Sequence, residues 1–294
     1  MTTTPANPDQ AAYWNAGAGE TWASLQDRLD HQLEPLGQRA MATLAPTPGE
    51  RILDIGCGSG QTSLALAQAV SPAGSVLGVD ISHPLLEVAQ GRIADLTNLA
   101  FQEADAQVAP FEAAKFDAAF SRFGVMFFAD PPAAFANIRR ALKPGGRLAF
   151  VCWRAPAENP FMTLPMAAAA GLLPPSPPVA TDPHAPGPFA FADAERVRTI
   201  LASAGFTDIA ITGHDQKIGS GDLDQTLTVA LKVGPLGAVL REHPDQRVAV
   251  IAAVRQALAQ HDGPDGVKIA CATWIVSARA MVRPPCRGRT PDSS

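Results

Sequence analysis

The chain has 294 residues, of which 47% are hydrophobic and 17% charged, with a formal net charge of −5. Apolar content on that scale excludes a disordered chain, and the length suffices for one large α/β unit with an elaboration or for two modest domains. A pI near 5.7 gives no basic footprint for a nucleic-acid backbone, and no long uninterrupted apolar run suggests a membrane span, so the expected partner is a small molecule.

The opening residues Met1 to Pro8 lack a basic stretch followed by an apolar core and do not read as a signal peptide, so the expected location is cytoplasmic. Tyr13-Trp14-Asn15 and Trp22 then concentrate aromatic residues in a chain that is only 6% aromatic, followed closely by Gln26, Arg28, Asp30 and His31. The run Leu53-Asp54-Ile55-Gly56-Cys57-Gly58-Ser59-Gly60-Gln61-Thr62 is an apolar strand, a glycine turn and a helix start. Glycines there let the backbone take positive φ and let a ligand approach the main chain, beside the free N–H groups of a helix N-terminus. Val76-Leu77-Gly78-Val79-Asp80 is a second short strand ending in a carboxylate, the arrangement that holds a ribose diol in doubly wound folds. A nicotinamide-dinucleotide site is the rival, but Gln61 stands where its G-x-G-x-x-G fingerprint needs the last glycine, and Asp54 would repel a pyrophosphate.

Beyond Asp80 the rhythm predicts a helix over 84–94, a strand over 99–103 and a strand over 116–121. Asp130-Pro131-Pro132 caps a helix over 133–142, and Lys143-Pro144-Gly145-Gly146 turns the chain into a strand over 147–153. Residues 156–170 read as partly helical, while the prolines of 174–188 exclude regular helix and central strand and leave a lid or a surface linker. A helix over 193–204, a strand over 206–214, two amphipathic helices near 222–232 and 244–260, a final strand over 267–278 and a frayed tail complete the pattern. Cys57, Cys152, Cys271 and Cys286 show no metal or redox spacing and are expected reduced.

The G-x-G-x-G spacing after Asp54, the terminal Asp80, the segment Glu103-Ala104-Asp105-Ala106 and the Lys-Pro-Gly-Gly turn together resemble class I S-adenosylmethionine-dependent methyltransferases, of the small-molecule group that includes ubiquinone and menaquinone biosynthesis. The resemblance covers about 45–153. It implies a doubly wound, Rossmann-like, mostly parallel seven-stranded α/β sheet with an antiparallel last strand. It further implies an N-terminal helical cover over 1–44, a cofactor-binding core over 45–153, a lid inserted at 154–190, a C-terminal completion of the sheet over 191–280 and a flexible tail over 281–294.

In that resemblance S-adenosylmethionine is the cofactor. Asp80 holds its ribose and Asp105 its adenine amino group, with the Ala106 N–H against a ring nitrogen. Further contacts are implied for Trp22, Asp54, Gly56, Cys57, Gly58, Gly60, Thr62 and Ile81, and for Ser121, Arg122 and Phe123. Trp22 is expected in the cover, where an aromatic face attracts a sulfonium. Nucleic-acid amino methyltransferases carry Asn/Asp-Pro-Pro-aromatic after the fourth strand, and Ser121-Arg122-Phe123-Gly124 departs from that. No clustered carboxylates stand there for a metal either. His31 is the first candidate for a general base, ahead of His83, Glu158, His184 and His214. Trp153, Phe161, Met162, Leu164 and Met166 are candidate walls of an apolar acceptor pocket, and Arg122 and Arg154 emerge at the ligand-binding edge. The expected activity is methyl transfer to O, N or C of a small, partly apolar metabolite. The other function class is a cofactor-binding partner or regulator without transfer activity. A homodimer is compatible with either.

Overall fold

The computed structural model describes residues 6–173 and 182–282. Three helices, α1 (Pro8–Trp14), α2 (Gly17–Ser24) and α3 (Gln26–Leu44), precede a sheet whose first strands alternate with helices. These are β1 (Arg51–Ile55), α4 (Gln61–Val70), β2 (Ser75–Asp80), α5 (His83–Gly91), β3 (Leu99–Glu103), β4 (Phe116–Arg122), α6 (Pro131–Ala141) and β5 (Leu142–Trp153). After α7 (Pro160–Ala169) and α8 (Ala194–Ser203) come β6 (Phe206–Ile218), α9 (Leu223–Lys232), α10 (Pro235–Glu242), α11 (Arg247–Ala259) and β7 (Ile269–Ala280).

The seven strands lie in the order β3-β2-β1-β4-β5-β7-β6. Pairs among β1 to β5 are parallel, and β7 runs antiparallel to both β5 and β6, so the expected mostly parallel sheet with an antiparallel last strand is what the chain forms. Ile52 to Ile55 of β1 and Ala118 to Ser121 of β4 are buried, as strands covered by helices on both faces require. The order reverses between β1 and β4, which opens a crevice at the carboxyl ends of those strands where ligands bind in open α/β sheets. Phe120, Phe135, Phe150 and Phe191 are fully buried in the main core. Burial of each stabilises the fold by roughly 1.5–3 kcal/mol.

The helix ends follow the predicted chemistry. Asp130 accepts from the Ala133 N–H at 3.0 Å and Asp193 from the Glu195 N–H at 2.9 Å, each capping a helix N-terminus. Two boundaries differ from expectation. β5 begins at Leu142, which pairs with Phe116, and the Lys143 to Gly146 turn is absorbed as an irregularity before Arg147 pairs with Ala118. The helix expected over 244–260 forms as α11, whose regular part starts at Arg247, and it is preceded by a further helix, α10, which ends before His243, where φ of −124° and ψ of 64° leave the helical region ahead of Pro244.

A larger difference concerns the lid. α9 and α11 do not extend the sheet; with α10 they pack against α7 around Leu227, Leu236, Leu240, Val250, Val254 and Leu258 as a second hydrophobic cluster. The cap is therefore built from two segments far apart in the chain, of which only α7 falls inside the expected 154–190 lid. Phe189, Ala190 and Phe191 return to the main core, just after the Gly187 N–H donates to the Met126 carbonyl at 3.1 Å. The stretch 174–181, most of the tail and Cys286 lie outside the described residues. Cys57, Cys152 and Cys271 are free and buried. Among the described residues no helix is long and apolar enough to cross a membrane, and no cluster of potential metal ligands occurs.

Candidate active site

Where β1 ends, the chain turns through Gly56, Gly58 and Gly60 at φ of +64°, +52° and +82°. A Cβ on Gly56 would lie 2.6 Å from the Gly124 Cα, so the loop after β1 and the loop after β4 cross only because both positions are glycine. The Gly56 and Cys57 N–H groups both donate to the Val79 carbonyl, tying this loop to β2. At the end of β2, the Asp80 carboxylate accepts from the Gly58 N–H at 2.7 Å and the Ser82 N–H at 2.9 Å. A carboxylate has about four acceptor positions, so two remain for a ligand. After β3, Asp105 accepts from the Gln107 N–H at 2.9 Å through one oxygen, while its buried Oδ2 has no partner. Burial pushes the Asp80 and Asp105 carboxyls above their ordinary range.

These groups border one cavity of about 340 Å³ at the carboxyl edge of the sheet. Gly56, Cys57, Gly58, Asp80 and Ile81 line it from β1 and β2, Asp105 and Ala106 from β3, Arg122 and Phe123 from β4, and Trp22 from α2. The remaining expected contacts stand behind this wall. Asp54 is fully buried, accepting through one oxygen from the Thr62 hydroxyl at 2.7 Å and the Ser63 hydroxyl at 2.6 Å. Its other oxygen is unpartnered, and burial raises its pKa from 3.8 to about 6. Ser121 donates to the Ile55 carbonyl and accepts from the Gly124 N–H, clamping the crossing loops. Asp54, Gly60, Thr62 and Ser121 therefore shape the loop without lining the cavity.

The base assignment also needs correction. His31 is exposed and does not line the cavity, because the inward face of α3 carries Leu29, Asp30, Gln32 and Leu33. His83, Glu158, His184 and His214 are likewise absent from the lining. Arg154 is engaged elsewhere, with Asp215 at 2.8 Å, Glu158 and the Trp274 ring. Leu164 packs into the cap core, whereas Trp153, Phe161, Met162 and Met166 do face the cavity.

The N-terminal helices are latched over this edge. The Ser82 hydroxyl donates to the Trp14 carbonyl at 2.8 Å, Asn15 bridges the Ile81 carbonyl and the His83 N–H, and the Asn7 amide donates to the Phe127 carbonyl. Trp14 meets Tyr13, Trp22 and Phe127 edge-to-face at centroid distances of 5.3, 5.5 and 5.6 Å. Sequence reasoning did not find the role of Asp30, which pairs with Arg92 at 2.8 Å and with Arg122 at 3.3 Å. Arg92 also donates to the Ser59 carbonyl and Arg122 to Gln61, so one carboxylate fastens α3 to the glycine loop and to β4.

A family described as "Methyltransferase domain" matches residues 53–150, the segment that holds the glycine loop, Asp80, Asp105 and Arg122. That segment is similar to a methyltransferase domain and is set within the seven-stranded α/β sheet described above. The chain is 37% identical over 137 residues to a 2-phytyl-1,4-naphtoquinone methyltransferase of Synechococcus elongatus, the match covering 45% of this chain and 59% of that protein. It is 37% identical over 129 residues to a demethylmenaquinone methyltransferase of Staphylococcus aureus, covering 44% and 51%. The chain thus spans just over half the length of these curated relatives. Among solved structures, phosphoethanolamine N-methyltransferase 2 of Haemonchus contortus, complexed with phosphomonomethylethanolamine and S-adenosylhomocysteine, superposes with a TM-score of 0.56 at 18% identity, covering 92% of this chain and 60% of that one. That likeness is one of fold.

Proposed function

We propose that this chain is an S-adenosylmethionine-dependent methyltransferase that acts on a small, largely apolar acceptor. The observation that carries the proposal is the single cavity joining the glycine loop, Asp80 and the unpartnered Asp105 Oδ2 to the aromatic and aliphatic side chains beneath the cap. The residues fit that cofactor. Asp80 keeps two free acceptor positions suited to a ribose diol, and the orphaned Asp105 oxygen suits an exocyclic amino group. No nest of free N–H groups awaits a pyrophosphate at the start of the loop, where the Gly56 and Cys57 N–H groups are spent on Val79.

When bound, S-adenosylmethionine supplies an electrophilic methyl group on a sulfonium. The contribution of the chain is then alignment and exclusion of water, and alignment alone lowers a bimolecular barrier by about 7–11 kcal/mol. The latched α1 and α2 close one side, the Trp14 cluster seals it, and the α7 and α9–α11 cap closes the other. Two relatives are named for methylating 2-phytyl-1,4-naphtoquinone and demethylmenaquinone, and the apolar half of the cavity here is consistent with an acceptor of quinone-like character.

Calorimetric titration tests the first step: S-adenosylhomocysteine should bind and NAD should not, and the reverse result would overturn the proposal. Incubation with cofactor deuterated at the methyl group and a metabolite extract, followed by mass spectrometry, tests the second. The expected outcome is one acceptor gaining the labelled methyl group, and no labelled product would reduce the protein to a cofactor-binding module.

A further inference from the structure

The cavity is chemically divided. Its ionisable lining side chains, Tyr13, Asp30, Cys57, Asp80, Asp105 and Arg122, all come from the N-terminal helices or from β1 to β4 and the loops after them. The opposite half, under the cap and toward β7 and β6, is walled by side chains such as Met166, Val229, Leu236, Leu258 and Ile269 and offers no charged group among the described residues. Residues 174–181, read from the sequence, contain no ionisable side chain either.

At the border of this uncharged half, where α3 meets the chain just past β6, one polar pair stands out. Gln32 on α3 is 4% exposed and Ser220, just past β6, is 3% exposed, and both line the cavity. The Ser220 hydroxyl donates to Gln32 Oε1 and so fixes which end of the carboxamide is free. Gln32 Nε2 makes no hydrogen bond among the described residues. The neighbouring Thr226 hydroxyl is already turned to the Gly221 carbonyl at 3.3 Å. An amide donor held in an apolar enclosure is stabilised only when an acceptor meets it. Toward the cofactor half stands a planar aromatic wall, with Phe123 and Trp153 stacked at 4.1 Å and Trp153 facing Phe161 at 6.2 Å.

We infer that Gln32, oriented by Ser220, is the residue that anchors the methyl acceptor, and that the acceptor is an uncharged, planar, largely apolar molecule presenting a hydroxyl or carbonyl oxygen to the Gln32 amide. This rests on the methyltransferase reading above, since it takes the charged half of the cavity as occupied by the cofactor. A charged acceptor would enter a compartment with no counter-ion, and burying an unpaired charge is far more costly than burying a hydroxyl. The half of the site that recognises the acceptor thus rejects anionic and cationic analogues of an otherwise fitting ring.

The test uses three probes on protein saturated with S-adenosylhomocysteine, whose own binding is first measured by calorimetry: 2-naphthol, naphthalene and 2-naphthoate, read by equilibrium dialysis. 2-Naphthol should bind roughly fivefold to tenfold more tightly than naphthalene, the scale of one net hydrogen bond, and 2-naphthoate more weakly than either. Gln32→Leu should abolish the naphthol advantage while leaving affinity for S-adenosylhomocysteine and for naphthalene in place. Ser220→Ala should reduce that advantage by freeing the amide, and it supplies the test if the leucine variant does not fold. No naphthol binding, 2-naphthoate bound as tightly as 2-naphthol, or an undiminished naphthol advantage in Gln32→Leu would overturn the inference alone. Failure of S-adenosylhomocysteine itself to bind would overturn the reading on which it rests.

Discussion

Asp54 is the side chain whose environment makes the sharpest prediction. It sits under the glycine loop, 0% exposed, with one oxygen accepting two hydroxyl hydrogen bonds and the other unpartnered. Burial outweighs those hydrogen bonds and raises its pKa from 3.8 to about 6. A carboxyl whose folded pKa lies above its unfolded value stabilises the fold fully below the unfolded value, and that stabilisation is lost as pH rises through the folded value. The window is therefore about pH 4 to 6. A rise of roughly 2 pH units at about 1.4 kcal/mol each gives about 3 kcal/mol lost across it. Asparagine is the isostere of the protonated form: its oxygen can accept from Thr62 and Ser63, and its amide takes the position that a proton would occupy. Urea unfolding of the wild-type chain and of Asp54→Asn, followed by circular dichroism from pH 4 to 8, should show the variant gaining about 3 kcal/mol on the wild type by pH 7, with no further gain above it. A stability difference that does not change with pH would refute the assignment of a buried, strained carboxylate to this position.

Removing the unpartnered acceptor with Asp105→Ala should weaken S-adenosylhomocysteine binding by about 1–3 kcal/mol in calorimetry, and an unchanged affinity would take Asp105 out of the cofactor site. Gly60→Ala should destabilise the protein more than Gly58→Ala does in urea unfolding. Both have positive φ, but the added Cβ meets the Phe101 Cζ at 2.8 Å at the first position and nothing closer than 3.9 Å at the second. Asp30→Ala leaves the Arg92 and Arg122 guanidiniums without their shared carboxylate and should cost about 3 kcal/mol, with faster hydrogen exchange across α3 as the local readout. Addition of S-adenosylhomocysteine should slow exchange in residues 13–31, and equal exchange with and without it would make the N-terminal helices packing elements only.

The alternating strands and helices up to β5 were legible because each signal is local. Strands buried on both faces read as apolar runs such as Leu53 to Ile55, and caps such as Asp130 before Pro131 announce helix starts within a few residues. Asp80 was legible as the carboxylate that ends a short strand, and Asp105, two residues past β3, through the resemblance of Glu103 to Ala106 to the family; both line the cavity. What could not be read is what depends on partners far along the chain. Asp30 meets arginines 62 and 92 residues away, and nothing in its own neighbourhood distinguishes it from the exposed His31 beside it. The amphipathic stretches that became α9 and α11 announce an apolar face but not the surface it covers, so their docking on α7 appears only in three dimensions.

This difference in legibility coincides with the division of the cavity. Its charged half is built from the contiguous segment matched by the methyltransferase family, with α2 and α3 laid over it. Its uncharged half is assembled from Gln32, Ser220 and the cap helices, which lie outside residues 53–150 and outside any local motif. Two relatives can therefore share everything that handles the cofactor and differ in everything that selects the acceptor, because the two halves are encoded by different kinds of information. On the proposed reading, Gln32 and the cap select the acceptor, and the 37% identity to quinone methyltransferases constrains that choice far less than those few side chains do.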